Sequence, residues 1–187
     1  MALICSGDAG IYAMGALVWE LIARGDGTGG VSDAAQRVEV ISAPGVSALQ
    51  AAAARAGAPL GHDFCAISLS DLLTPRADIV KRLHAAAAGD FVIAFYNPVS
   101  QRRRTLLVEA REILLGHRPG DTPVLLAVSL GRPEERLVWR TLATLAVDEV
   151  DMLTVVLVGS RQSRMVATGD GPRMFTPRGY ARKLADA

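Results

Sequence analysis

The chain of 187 residues is half apolar and carries a net charge of +1, enough core for one ordinary domain or two small lobes. A charge so near zero excludes a nucleic-acid binder that works through its bulk field. No run approaches the roughly 20 apolar residues of a membrane span. The two cysteines, Cys5 and Cys65, each sit in an apolar strand-like run and are expected to be reduced core thiols of a cytoplasmic protein.

In chain order, ALICSG (2–7) reads as a buried strand, and IYAMGALVWELIARG (11–25) as an amphipathic helix stopped by Gly25. A Gly-rich loop (25–36) leads to RVEVISAPG (37–45), which alternates like a strand and ends in a Pro-Gly turn. Ser47 stands at the N-cap position of the helical ALQAAAARAG (48–57). FCAISLS (64–70) restarts the rhythm as a strand, and the helix RADIVKRLHAAAAG (76–89) follows Pro75. DFVIAFYNP (90–98) is a buried strand, RRRTLLVEAREILLGH (102–117) an amphipathic helix, and TPVLLAVSLG (122–131) a strand. RTLATL (140–145) is helix-like, MLTVVLVGS (152–160) is a strand, and TPRGY (176–180) is a polar turn. Repeated β-α steps imply a parallel sheet with helices on its faces. The expected lobes are 1–62 and 63–187.

Ligands of open α/β sheets bind beyond the carboxyl ends of the strands. Those ends read Ser6-Gly7-Asp8, Pro44-Gly45-Val46-Ser47-Ala48, Tyr96-Asn97-Pro98, Leu130-Gly131-Arg132 and Gly159-Ser160-Arg161. Gly7 and Gly45 leave room for backbone to approach a ligand, Ser47 adds helix N-terminal donors, and Asp8 accepts hydrogen bonds from a cation or a ribose. The same residues also read as plain turns. Neither a Walker lysine nor a full G-x-G-x-x-G occurs, and His62, His84 and His117 are scattered without metal-ligand spacing. No G-x-S-x-G elbow supports a hydrolase triad. Arg102, Arg103 and Arg104 open a helix against its macrodipole. They form either a solvated basic face or, with Arg132, Arg161, Arg164 and Arg178, a rim for a carboxylate-rich ligand.

SGDAGIYAMGA, APGVSALQAAAARAGAPLGHDF, ISLSDLLTP, FYNPVSQRR, GRPEE and TPRGY together resemble the tetrapyrrole methylase family, from the first residues to about Tyr180. SLSDLLTP with YNPxSxxR resembles the branch that contracts the corrin ring. The resemblance implies a two-lobed α/β fold, mostly parallel sheets flanked by helices, working as a homodimer without nucleic acid or membrane partners. It implies S-adenosyl-L-methionine as cofactor, and precorrin-3B as tetrapyrrole substrate, methylated at carbon 17 with ring contraction to precorrin-4 in cobalamin biosynthesis. By motif, Ser6, Gly7, Asp8, Ile11, Ser47, Ala48, Tyr96, Asn97 and Gly131 fall at cofactor-binding positions. Arg102, Arg104, Arg132 and Arg178 suit the acidic substrate, no metal is implied, and Asp71 and Asn97 are the candidate groups for catalysis. Family members place roughly two β-α units, on the order of 60 residues, ahead of the SGDAG loop. The expectation is therefore an incomplete first lobe with an exposed apolar edge, tight dimerisation or aggregation, and weak cofactor affinity. A catalytically incomplete fragment that keeps the fold is the alternative.

Overall fold

The computed structural model describes residues 1–27, 29–100 and 103–185. The chain divides into two compact units, Met1–Ala48 and Leu49–Ala187, a division that falls ahead of the lobe boundary expected at residue 62.

Within Met1–Ala48 the expected helix is α1 (Gly15–Arg24), and it stops at Gly25, whose φ of 69° lies in the left-handed region glycine favours. A short helix α2 (Asp33–Gln36) lies inside the expected Gly-rich loop, where the Ser32 hydroxyl accepts the Ala35 N–H. Neither expected strand forms. Residues 2–7 and 37–45 are irregular, and Leu3, Ile4, Val38 and Ile41 are exposed. An apolar run becomes a strand only beside a hydrogen-bonding neighbour, and among the described residues these two segments have none.

Helix α3 (Ala48–Ala56) leads into the second unit and buries Leu49, Ala52 and Ala56. After β1 (Gly57–Ala58) and a tight turn at Pro59–Gly61, the main sheet begins with β2 (Phe64–Ser68). Helix α4 (Arg76–Ala88) follows, burying Ile79, Leu83, Ala86 and Ala87 at helical spacing, then β3 (Val92–Tyr96) and α5 (Thr105–Leu115). Arg103 and Arg104 thus precede α5, and Arg102 lies outside the described residues. β4 (Pro123–Val128) turns back as β5 (Arg136–Thr141), and β6 (Thr154–Val158) is buried at every residue. The five strands lie in the order β2-β3-β6-β4-β5. Ile79 and Leu83 of α4, Leu107 and Leu114 of α5, and Ile93, Phe95, Leu126 and Val156 of the sheet share one core.

Parallel pairing, expected for most of the sheet, is confined in this one to β2–β3; β3–β6, β6–β4 and β4–β5 are antiparallel. The chain returns from β4 without a crossover helix, because the segment expected to be one is not helical. Arg140 and Thr141 finish β5, and the residues beyond form a turn in which Thr141 N–H donates to the Thr144 hydroxyl at 3.0 Å. Leu142 and Leu145 are buried three apart, a spacing that imitates a helix face. A second sheet, β1-β8-β7, adds the hairpin of β7 (Arg164–Thr168) and β8 (Gly171–Phe175), turned by Gly169 and Asp170, before α6 (Tyr180–Ala185). The cysteines are free and half-buried; Cys65 packs against the core, and burial pushes its thiol up to about 11. Among the described residues no helix is long and apolar enough to cross a membrane.

Candidate functional site

Strand direction decides which loops meet. β6 runs against both β3 and β4, so β4 points the same way as β2 and β3. The carboxyl ends of these three strands therefore share one end of the sheet, where α/β proteins bind their ligands. That end carries Ser68, Ser70 and Asp71 after β2, Tyr96 and Asn97 after β3, and Ser129, Gly131 and Arg132 after β4. The fifth expected loop is elsewhere. Val158 at the end of β6 lies opposite Ile93 near the start of β3, so Gly159, Ser160 and Arg161 occupy the other end of the sheet. There the Arg161 main-chain N–H donates to Asp90 Oδ1 at 3.0 Å, and its Nε lies 3.4 Å from Oδ2. Arg161 is thereby removed from the expected arginine rim.

Short hydrogen bonds stitch the loops of the ligand-binding end together. The Tyr96 carbonyl accepts Leu69 N–H at 2.9 Å, continuing the β2–β3 ladder past its last pair. Asn97 sits at φ 47°, a left-handed conformation that asparagine tolerates, and its Nδ2 donates to Ser68 Oγ at 3.1 Å. The Tyr96 hydroxyl accepts the N–H of Leu49 at 2.8 Å in the first turn of α3. One of the helix donors assigned to a ligand is therefore already taken. Gly131 has φ 73° with open space where a Cβ would stand, so its conformation, not a tight fit, calls for glycine. Its N–H donates to Glu135 Oε2 at 2.7 Å, and Glu135 Oε1 in turn receives Arg55 Nε at 2.7 Å. These two donors hold the Glu135 carboxyl below its ordinary value, Arg55 more strongly.

In the first unit the site is built on Asp8. Its Oδ2 accepts Gly45 N–H at 2.9 Å and its Oδ1 accepts Gly10 N–H at 2.8 Å, which together hold its carboxyl below the usual aspartate value, Gly45 most. Ile11 N–H donates to the Asp8 carbonyl at 3.2 Å. Gly7 has φ 80°, and a Cβ on Gly45 would lie 2.1 Å from the Gly7 carbonyl oxygen. Gly45 therefore serves the contact between two loops, not the approach of a ligand as the sequence suggested. Beside this knot lies a cavity of about 400 Å³, lined among others by Asp8, Ala9, Gly10, Gly15, Trp19 and Pro44. Ser6 is exposed at its edge in sequence, while Ser47 and Ala48 lead from Gly45 into α3.

The basic residues part company. Arg104 Nη2 donates to the Val147 carbonyl at 2.8 Å and lies 3.1 Å from Asp148 Oδ1, so it is engaged by a turn ahead of β6. Arg132 is exposed at the ligand-binding end, Arg178 is exposed before α6, and Arg102 lies outside the described residues. Arg103, read from sequence only with its neighbours as a basic face or a rim, has its Nε 3.6 Å from Asp71 Oδ1. A pair 32 positions apart leaves no signal in spacing. The same holds for Glu135, whose bond to Gly131 depends on how the β4–β5 connection folds.

Residues 1–146 match the family described as Tetrapyrrole (Corrin/Porphyrin) Methylases, well over half of the chain. The chain belongs to the tetrapyrrole methylases. Among its relatives in that family, a precorrin-3B C(17)-methyltransferase of Sinorhizobium sp is 43% identical over 182 residues, 97% of this chain and 69% of that protein. A probable cobalt-factor III C(17)-methyltransferase of Salmonella typhimurium is 47% identical over 180 residues, 96% of this chain and 69% of that protein. The crystal structure of the methyltransferase CobJ superposes with a TM-score of 0.81 at 41% identity, covering 92% of this chain and 68% of that one. The tetrapyrrole methylase fold is thus a mixed α/β fold with helices flanking its sheets, and the chain spans about seven-tenths of these relatives.

Proposed function

We propose that this tetrapyrrole methylase transfers a methyl group from S-adenosyl-L-methionine to carbon 17 of precorrin-3B, with ring contraction to precorrin-4, in cobalamin biosynthesis. The observation that carries the reading is the 43% identity, along almost the whole chain, to a relative named for that reaction. The chemistry of the first unit fits the cofactor. A carboxylate kept ionised by two backbone N–H groups favours a nearby sulfonium cation, two of its roughly four acceptor positions remain, and the adjoining cavity of about 400 Å³ is walled by small side chains and Trp19. Ser6, Gly7, Asp8, Ile11, Ser47, Ala48, Tyr96, Asn97 and Gly131 are the residues proposed to hold it.

S-adenosyl-L-methionine supplies both the methyl group and its leaving group, so the protein's task is to orient the reactants and exclude water. Asp8 serves that task by tying the Gly45 loop to the Gly10 turn, which fixes the cavity wall. Asp71 and Asn97, on adjoining loops after β2 and β3, are the polar groups proposed to meet the macrocycle. Arg102, Arg104, Arg132 and Arg178 are proposed to face its carboxylates, Arg104 after exchanging its Asp148 contact. The proposal extends to a homodimer in the cytoplasm with lobes meeting at residue 62. The exposed Leu3, Ile4, Trp19, Val38 and Ile41 supply apolar surface for association.

The 47% identity to the Salmonella relative favours a cobalt-loaded ring as a second substrate reading. Incubating the purified chain with S-adenosyl-L-methionine and either precorrin-3B or cobalt-factor III, followed by absorbance and product mass, decides between them. The expected result is a product heavier by one methylene with a changed tetrapyrrole spectrum. A spectrum unchanged with both substrates overturns the proposal.

A further inference from the structure

The loop between β2 and α4 holds Leu72 and Leu73 in water, at 76% and 98% exposure, only three residues after Leu69 at 1%. Burial of its own side chains does not fix the outer part of this loop. One guanidinium does. Arg103 Nη1 donates to the Leu69 carbonyl at 3.4 Å while its Nε stands 3.6 Å from Asp71 Oδ1, so a single side chain grips both the main chain and the carboxylate of the loop. Arg103 is itself anchored, since its N–H donates to the Ser100 carbonyl at 3.2 Å and its carbonyl accepts Ser100 N–H at 2.9 Å. The two side chains are 18% and 30% exposed, sheltered enough for the attraction to escape most screening. Below them, the Asn97–Ser68 bond fixes the root of the same two loops.

We infer that Arg103 is a positioning residue that clamps the 69–73 loop and aims the Asp71 carboxylate at the tetrapyrrole, with Leu72 and Leu73 presented to the face of the ring. The inference rests on the tetrapyrrole-methylating reading above and deepens it. An ionised carboxylate only accepts hydrogen bonds, so the group it meets on the macrocycle is an N–H or a hydroxyl. Two adjacent leucines offer apolar surface to a macrocycle that is itself apolar on its faces and acidic on its rim. Arginine, with a planar fork, can hold a carbonyl and a carboxylate together; lysine supplies the charge without the fork.

The test uses the full chain with Arg103→Ala, Arg103→Lys, Asp71→Asn and the double variant Asp71→Asn/Arg103→Ala. Amide hydrogen exchange at residues 69–73 is expected to accelerate about tenfold or more in Arg103→Ala and less in Arg103→Lys. In turnover of precorrin-3B with S-adenosyl-L-methionine, kcat is expected to fall about 10- to 100-fold in Arg103→Ala and in Asp71→Asn. KM for the cofactor should stay within about twofold, Arg103→Lys should recover part of kcat, and the double variant should be no slower than the slower single one. Unchanged exchange in Arg103→Ala overturns the clamp. Losses that multiply in the double variant, or a rise in KM without a fall in kcat, overturn the positioning of Asp71 through Arg103. Wild-type chain inert toward precorrin-3B and cobalt-factor III overturns the function reading instead, and the exchange measurement still decides the clamp.

Discussion

Replacing Gly45 by alanine tests whether the knot around Asp8 shapes the proposed cofactor site. The new Cβ would stand 2.1 Å from the Gly7 carbonyl oxygen, 2.8 Å from the Gly7 carbonyl carbon and 3.1 Å from the Asp8 Cα. Comfortable contacts between such atoms begin above about 3 Å, so the two loops must part by on the order of 1 Å, and no rotamer change relieves backbone. Overpacking of this kind costs about 1–3 kcal/mol. The separation also draws Gly45 N–H away from Asp8 Oδ2, now 2.9 Å distant. If the cofactor binds only the closed arrangement, its affinity falls by the same free energy, about 5- to 150-fold. Isothermal titration with S-adenosyl-L-methionine measures this directly. Gly169→Ala is the control, because no atom lies within 4 Å of its added Cβ. An affinity of Gly45→Ala within twofold of wild type, with wild-type binding intact, refutes the reasoning.

Three further outcomes are expected. Tyr96→Phe removes the acceptor of the buried Leu49 N–H and should lower stability in urea unfolding by about 1–3 kcal/mol; no loss would show that the hydroxyl does not cap α3. Arg118 is buried, with its Nη1 donating to the carbonyls of Phe91 at 3.1 Å and Gly159 at 2.5 Å and its Nη2 3.9 Å from Asp90. Arg118→Ala strips both carbonyls of their partner and leaves Asp90 with Arg161 alone, and a loss of about 3–5 kcal/mol should appear as a fall in Tm of roughly 6–20 °C by calorimetry. The Glu135 carboxyl is held below its ordinary value of 4.5, so its contribution is complete above that value and disappears as pH falls through the lower folded value. Urea midpoints measured from pH 7 downward should therefore drop less steeply below that value in Glu135→Gln than in wild type.

Much of the second unit could be read from the sequence because its signals are local. Pro75 and Gly89 bound α4, apolar residues at helical spacing mark α5, and unbroken apolar runs mark β3, β4 and β6, as expected of strands covered on both faces. Direction was not legible, because a run such as TVVLV reads alike whichever way it lies in the sheet. Assigning β6 the parallel direction brought Gly159, Ser160 and Arg161 to the ligand-binding end, and the antiparallel register takes them away. The β7–β8 hairpin did carry a turn signal, Gly169-Asp170 between Thr168 and Gly171, within a stretch whose exposed side chains give no core pattern. In the first unit, the Gly7, Asp8 and Gly45 positions were visible as motifs, but their mutual contacts belong to tertiary structure. The family resemblance pointed to residues there without saying what each one touches.

The two ends of the five-stranded sheet are built from different materials, and that difference bears on the chemistry. At the far end, the buried Arg118 gathers two strand-end carbonyls, and Asp90 pairs with both Arg118 and Arg161. Burial lowers the Arg118 pKa, and the Asp90 carboxylate offsets part of that. At the end proposed to bind the ligand, Asn97 and Ser129 take left-handed backbone conformations that cost non-glycine residues of order 1–3 kcal/mol, as Asp90 does at the far end, but here the loops are tied by hydrogen bonds between small side chains and by the Arg103–Asp71 pair. Strain of that size persists only where surrounding structure over-determines it, and the buried core and the clasp that Arg118 forms at the far end provide the excess. Removing the clasp should therefore loosen the ligand-binding loops as well as the strand ends it touches, whereas removing Arg103 should loosen the loops alone. Amide exchange across both ends in the Arg118→Ala and Arg103→Ala chains separates these cases. Equal loosening of both ends by both substitutions would mean that the sheet opens as one unit and that the site draws no special support from its far end.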